Sequence, residues 1–299
     1  MVLHLRKGIA LLITVMFVIV ITATIGYILK QVNESQKEVV DERYIYESAL
    51  YVEDILNILK TSPLLSEITG ENGAQNLFLF LSENGLLSYE YGDAKVVIHI
   101  GSARTKFNLH NLNSMNEPYL RQYFSYHGVR DEYVDMLQDC IGGIREDQIY
   151  KSRIFEEERE LFRDYLASKR HLEKINTFYK NEYADNALEA LDTQELFSFN
   201  KDENSSIDLN YATPQTWELL TGVDQEQAKL LAHSGVVYTD INMIELSEDA
   251  KSRLQKFKIS TFEPYLLVKI DIIRDDYSAH IQFEYDIANK REYNFVFNV

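Results

Sequence analysis

The chain has a single cysteine, Cys140, and with no second thiol it has no intrachain disulfide. An oxidising compartment is therefore neither supported nor excluded. Because Leu137 and Ile141 flank it, Cys140 reads as a buried apolar thiol rather than a reactive one. Positive charge is also scarce: 30 Lys and Arg stand against 47 Asp and Glu, giving a formal net charge of −17. A nucleic-acid surface needs clustered cations against phosphate, so the deficit argues against one and favours proteins or cations as partners. Catalytic signatures are missing too. The seven histidines are scattered, and there is no H-E-x-x-H, Cys/His cluster, Gly-rich phosphate loop or G-x-S-x-G elbow. Carboxylate pairs occur through number alone, so no enzymatic chemistry is expected. No EF-hand spacing occurs either.

What the chain does have is one long apolar run. Residues 9–29, IALLITVMFVIVITATIGYIL, carry no charge. As a helix they would reach about 31 Å, the hydrocarbon thickness of a bilayer. Arg6 and Lys7 precede the run, which by the positive-inside rule puts the N-terminus in the cytoplasm and the rest of the chain outside. The run is too long for the core of a cleavable secretory signal. With 45% hydrophobic residues overall, the remainder is expected to fold.

A plain signal anchor would satisfy this hydropathy. The order Arg6-Lys7-Gly8-Ile9-Ala10-Leu11-Leu12 also resembles the class III leader of type IV pilins and pseudopilins. In that family a prepilin peptidase cuts on the cytoplasmic side after the glycine, here between Gly8 and Ile9. A residue without a side chain lets a protease approach the backbone closely. Most pilins carry a glutamate five residues after the cut, and here that position is Ile13. A carboxylate in hydrocarbon needs a partner, which the family supplies as a neighbouring subunit's N-terminal amine. A subunit with no neighbour above it needs none, and the K-type minor pseudopilin of type II secretion is the family member that typically lacks this glutamate.

Further along, Ile45, Ala49, Val52, Leu56 and Leu59 share one helical face, and Thr61-Ser62-Pro63 should end that helix. It either continues the apolar run or follows a break near Asn33. Residues 77–81, 89–91 and 95–100 read as strands, with turns at Asn84-Gly85 and Gly92-Asp93. Two short strands with Asn or Asp around a leucine follow, at Phe107-Asn108-Leu109 and at Ile207-Asp208-Leu209-Asn210. After the second, Thr213 and Pro214 suit a helix start, Gly222 a helix stop, and Asp224 the start of a second helix. This resembles a helix-hairpin-helix. Because the hairpin carries Asp224 and Glu226, its DNA-binding version is not expected. Between the two strands, residues 155–166 read as amphipathic helix pairing with Leu172 and Ile175, the Glu156–Glu160 charges forming a solvated face. Strict alternation over residues 280–287 marks a half-buried antiparallel strand, between further strands at 265–273 and 293–299.

The order of these pieces resembles the K-type minor pseudopilin from end to end. The resemblance implies an α+β, type IV pilin-like fold, a long N-terminal helix packed on an antiparallel sheet with an inserted α-helical domain. It divides the chain into a leader (1–8), a membrane helix (9–29), its amphipathic continuation (30–60), a first β part (61–116), the insert (117–199) and a closing part (200–299). It implies as partners the I- and J-type minor pseudopilins, the major pseudopilin, the inner-membrane assembly platform and the prepilin peptidase. The expected location is the bacterial inner membrane, spanned once, with the globular part periplasmic. Asp185-Asn186 and Thr193-Gln194-Glu195-Leu196 echo family signatures. At the family's Asp-Trp-x-Asp segment only Asp139 remains. Some members bind calcium, so calcium is possible by resemblance. The stretch Lys201-Asp202-Glu203-Asn204 could donate oxygens or be a solvated linker, and no metal ligand is assigned. A minor pilin of a type IV pilus or competence system is the close variant, and a signal-anchored periplasmic binding module the distant one.

Overall fold

In a computed structural model the described residues are 44–91, 94–144, 149–202, 204–274 and 277–298. The expectations for Arg6, Lys7, Gly8, Ile9, Ile13, the apolar run and the Gly92-Asp93 turn lie outside them.

The amphipathic stretch is a helix over residues 44–61 (α1). It stops at Ser62, whose hydroxyl accepts the Leu65 N–H at 3.5 Å and caps α2 (Pro63–Ile68). Proline's fixed φ and missing N–H suit this first turn. The buried stripe of α1 differs from the expected one. Ser48, Ile55 and Leu59 are buried and Val52 and Leu56 half-buried, whereas Ile45 and Ala49 are exposed. The roll is fixed at one flank, where Tyr44 stacks on Tyr277 at 4.2 Å and Glu47 pairs with Arg274 at 2.5 Å.

Residues 77–81 are not a strand as expected. They lie in helix α3 (Gly73–Asn84), where Gly73 and Leu77 are buried and Phe80 and Leu81 half-buried, the three-and-four spacing of a helix face. An apolar run this short fits either period, and the length of the element, not its composition, marks the helix. Asn84-Gly85 therefore joins α3 to β1 (Leu86–Tyr91) rather than turning a hairpin. The strand β2 (Ala94–Ser102) pairs with β1 antiparallel.

The chain then leaves the sheet. A two-residue strand, β3 (Phe107–Asn108), leads to α4 (Glu117–Tyr126) and α5 (Glu132–Ile141). Next come α6 (Ile154–Glu157), α7 (Lys169–Tyr183), α8 (Thr193–Leu196) and β4 (Phe197–Ser198), which returns parallel to β3. The expected helix through residues 155–166 is cut short at Glu157. Glu156 and Glu160, which would repel four residues apart on one helix face, are both exposed, while Leu161 and Leu166 reach the core from irregular backbone.

The pattern then repeats. After β5 (Ile207–Asp208) come α9 (Pro214–Thr221), α10 (Gln225–Ala232), α11 (Glu248–Leu254) and β6 (Ile259–Ser260), parallel to β5. Both helix pairs turn through a left-handed glycine followed by valine: Gly128-Val129 at φ 78° and Gly222-Val223 at φ 72°. The second hairpin follows its sequence cues. Thr213 accepts the Thr216 N–H at 3.1 Å, and Asp224 accepts the Gln227 N–H at 2.8 Å.

Three long strands close the chain: β7 (Tyr265–Arg274), β8 (Tyr277–Asp286) and β9 (Arg291–Asn298). The sheet order is β1-β2-β7-β8-β9, antiparallel throughout, so β7 enters beside the strand from which the helical excursion departed. Alternate residues Leu266, Val268, Ile270 and Ile272 of β7 and Ile281, Phe283 and Tyr285 of β8 point at α1–α3. A second core, around Phe107, Phe124, Tyr133, Tyr179 and Trp217, holds α4–α11 together, and the α9–α10 hairpin belongs to it.

Candidate functional site

The Asn- and Asp-bearing strands fix the joint between the two cores. Asn108 is buried. Its Oδ1 accepts the His110 N–H at 3.0 Å, and its Nδ2 lies 2.7 Å from Asn200 Oδ1, 2.7 Å from the Asp202 carbonyl and 3.1 Å from Ser205 Oγ. Asn210 does the same for the second unit, donating to the Tyr238 and Thr261 carbonyls at 3.0 and 2.7 Å and accepting the Tyr238 N–H at 2.6 Å. Asp208 is fully buried, its two oxygens taking the Asn210 and Glu263 N–H groups at 3.0 Å each. Burial pushes its carboxyl up to about 7, against the pull of those two N–H donors. These side chains take up backbone groups of the turns and loops that flank strands too short to pair more than two residues.

One ion pair, unannounced by any motif, crosses the same joint. Arg104 is buried, meets Glu284 at 2.5 Å and Asp202 at 3.6 Å, and stacks on Tyr265 at 4.1 Å. Glu284 also accepts from Asn294 at 3.0 Å, opposite the register shift between β8 and β9.

The other singled-out residues are structural as well. Cys140 is buried, and burial, reinforced by Asp139, pushes its thiol pKa far up, which keeps it protonated and unreactive. Asp139 is itself buried and accepts the Lys151 N–H at 3.1 Å, the Ser152 N–H at 2.7 Å and the Ser152 hydroxyl at 2.8 Å. Asp202 is taken up by Arg104 and by the Asn204 N–H at 2.9 Å. Among the described residues no three His, Cys, Asp or Glu side chains converge as metal ligands. Of the stretch the sequence offered as oxygen donors, Asp202 is held by Arg104 and Glu203 lies outside the described residues.

Two exposed apolar features remain. Strand β9 is a sheet edge, and from Tyr293 to Asn298 it is uncharged. Phe295, Val296 and Phe297 are 49%, 47% and 41% exposed, although Phe295 stacks on Phe283 of the core at 5.0 Å. On α1, Ile45, Leu50 and Ile58 are exposed. Natural sheet edges are usually blunted by lysine, proline or a covering element, so an uncovered apolar edge suits contact with another chain. Among the described residues no helix is long and apolar enough to cross a membrane.

The described residues form a helix-backed antiparallel sheet with a helical unit inserted between β2 and β7. No family model matches the chain, and no curated protein does. Among solved structures, one chain of the GspK-GspI-GspJ complex from the enterotoxigenic Escherichia coli type 2 secretion system superposes with a TM-score of 0.57 at 12% identity. The match covers 87% of this chain and 99% of that one. The fold is thus similar to that of a chain of this pseudopilin complex, in line with the pilin-like α+β fold that the sequence resemblance implied.

Proposed function

We propose that the protein is a non-catalytic minor pseudopilin of a type II secretion system, acting at the tip of the pseudopilus with the I- and J-type minor pseudopilins. The observation that carries this reading is the fold: a helical unit spliced between β2 and β7 of a helix-backed sheet, in a chain that superposes at a TM-score of 0.57 over 99% of a chain from the K-I-J complex. In this reading residues 9–29 hold the chain in the inner membrane with the N-terminus cytoplasmic and the head periplasmic. The prepilin peptidase removes residues 1–8 between Gly8 and Ile9. Arg6 and Lys7 set the orientation, and Ile13 leaves no carboxylate to be neutralised by a subunit above. The enlarged head leaves no room for one either. The exposed edge of β9 and the outer face of α1 are the surfaces assigned to neighbouring subunits.

Co-expression with a prepilin peptidase and measurement of the N-terminal mass tests the reading. Loss of residues 1–8, blocked in Gly8→Ala, is expected. An intact N-terminus beside active peptidase would leave a signal-anchored periplasmic module instead. Capture of I- and J-type subunits, rather than pilus or competence subunits, separates secretion from pilus assembly.

A further inference from the structure

Helix α7 opens on a reciprocal pair of hydrogen bonds. Ser168 caps it, its hydroxyl oxygen accepting the His171 N–H at 3.1 Å. In return, His171 Nδ1 accepts the Ala167 N–H at 3.2 Å. A capping box has this reciprocity, with Glu or Gln as the side chain that reaches back. Those side chains accept throughout the neutral range. An imidazole accepts through Nδ1 only while that nitrogen is unprotonated, so the ring here is neutral and carries its one proton on Nε2.

This box holds more than a helix end. Ala167 closes the irregular stretch after α6, whose Leu161 and Leu166 are buried in the helical core. From the same stretch the Phe162 ring meets the His171 ring edge-on at 6.2 Å. His171 is 6% exposed, and its Nε2 has no hydrogen-bond partner among the described residues.

Every influence on the ring opposes a second proton. Burial penalises the charged form, and the Lys174 cation on the next turn of α7 adds to that penalty. The positive end of the helix dipole lies at the same turn, which also holds Lys169 and Arg170. On the covering stretch Glu158 pairs with Lys174 at 3.6 Å, Asp164 pairs with Lys201 at 3.0 Å, and Glu160 is exposed. None of these acids pairs with His171. Protonation of Nδ1 would moreover set one N–H donor against another, that of Ala167, and the box would lose half its bonds.

We propose that Ser168 and His171 form an acid-sensitive clasp, which holds residues 158–167 on the helical core while the ring is neutral and releases them when Nδ1 takes a proton. Release would uncover Leu161 and Leu166 and the core beneath them. The proposal does not rest on the secretion reading, since it uses only contacts between α7 and the stretch before it. A histidine in an unfolded chain titrates near about 6.5. Because the fold lowers the pKa of this one, the clasp is at full strength above that value and weakens as the pH falls below it.

Hydrogen exchange read by mass spectrometry tests it, on the full chain in detergent at about pH 7.5 and about pH 5, on either side of the histidine range. Rates are normalised to the intrinsic exchange rate at each pH. Protection of residues 158–167 should fall several-fold on acidification, while that of β7 and β8 holds. His171→Gln puts a non-titrating acceptor in the box, and its 158–167 stretch should be equally protected at both values. Circular dichroism checks the fold of that variant, and the response of the parent stands without it. A parent whose 158–167 stretch keeps its protection in acid, or loses it in step with β7 and β8, overturns the proposal. So does a loss of the same size in a folded His171→Gln.

Discussion

The two cores are built on different principles. In the sheet unit the strands are long, eight to ten residues in β7, β8 and β9, and the backbone satisfies itself through four antiparallel ladders. Its buried side chains are mostly aliphatic or aromatic, with Ser48, Ser102, Glu284 and Asp286 among the polar ones. In the helical unit α6 and α8 have four residues each and the strands two. Short elements leave a large share of their N–H and C=O groups without partners. Polar side chains take them up: Ser168, Asp192, Thr213, Asp224 and Ser247 as caps, and Asn108, Asp208 and Asn210 as staples. Where elements are long, oil suffices. Where they are short, specific hydrogen bonds must do the work of the ladder.

Cavity-creating substitutions give the largest test of this contrast. Phe283→Ala in the sheet core and Trp217→Ala in the helical core should each cost about 3–5 kcal/mol in denaturant unfolding. In Phe283→Ala, emission from Trp217, the only tryptophan, should persist after the strand circular dichroism is lost. Coincident loss would make the two cores one cooperative unit. An effect of comparable total size is expected from pH. Asp208 titrates near 7 in the fold, against about 3.9 in an unfolded chain. Between those values the folded state holds a proton that the unfolded state has released, so this group's contribution to stability is greatest below about pH 4 and declines towards pH 7. The stability of the parent relative to Asp208→Ala should fall across that window by at most about 1.4 kcal/mol per pH unit and flatten above it. A difference that rises with pH would mean the two N–H donors outweigh burial. Smallest is the loss of one staple. Asn108→Ala should cost about 1–3 kcal/mol in thermal unfolding, whereas Lys269→Ala, on the open face of the sheet, should stay within about 0.5 kcal/mol. Equal effects would remove the distinction between staple and ladder.

Legibility in the sequence followed the same division. The alternation in β8 gave its strand and buried face because period two repeats over enough residues to be unambiguous. The hairpin of α9 and α10 was legible for another reason: Thr213, Pro214, Gly222 and Asp224 are local signals, each fixed by its own backbone geometry. Leu77 to Leu81 misled because five apolar residues fit either period, and the stretch after Glu157 misled because a helical spacing of apolar residues also serves a loop pinned at Leu161 and Leu166. The roll of α1 depends on Tyr277 and Arg274, more than two hundred residues away. Of the candidate site residues, Asn108, Asp208 and Asn210 stood out as a motif, yet their purpose as staples shows only when the loops they bind are in place. Arg104 carries no local signal at all, since an arginine's meaning lies in what it meets.

The adjacency of β2 and β7 has a mechanical consequence. The helical unit leaves at Ser102 and returns at Tyr265, where Ser102 pairs with Leu266 and the Ala103 N–H meets the Tyr265 carbonyl at 2.9 Å. The two chain crossings lie side by side, next to the Arg104–Glu284 pair and the Phe262 ring that packs on the sheet core. Tension applied along α1 would pass through its contacts with Arg274, Tyr277 and Glu292 into β7, β8 and β9, the strands beside the two crossings.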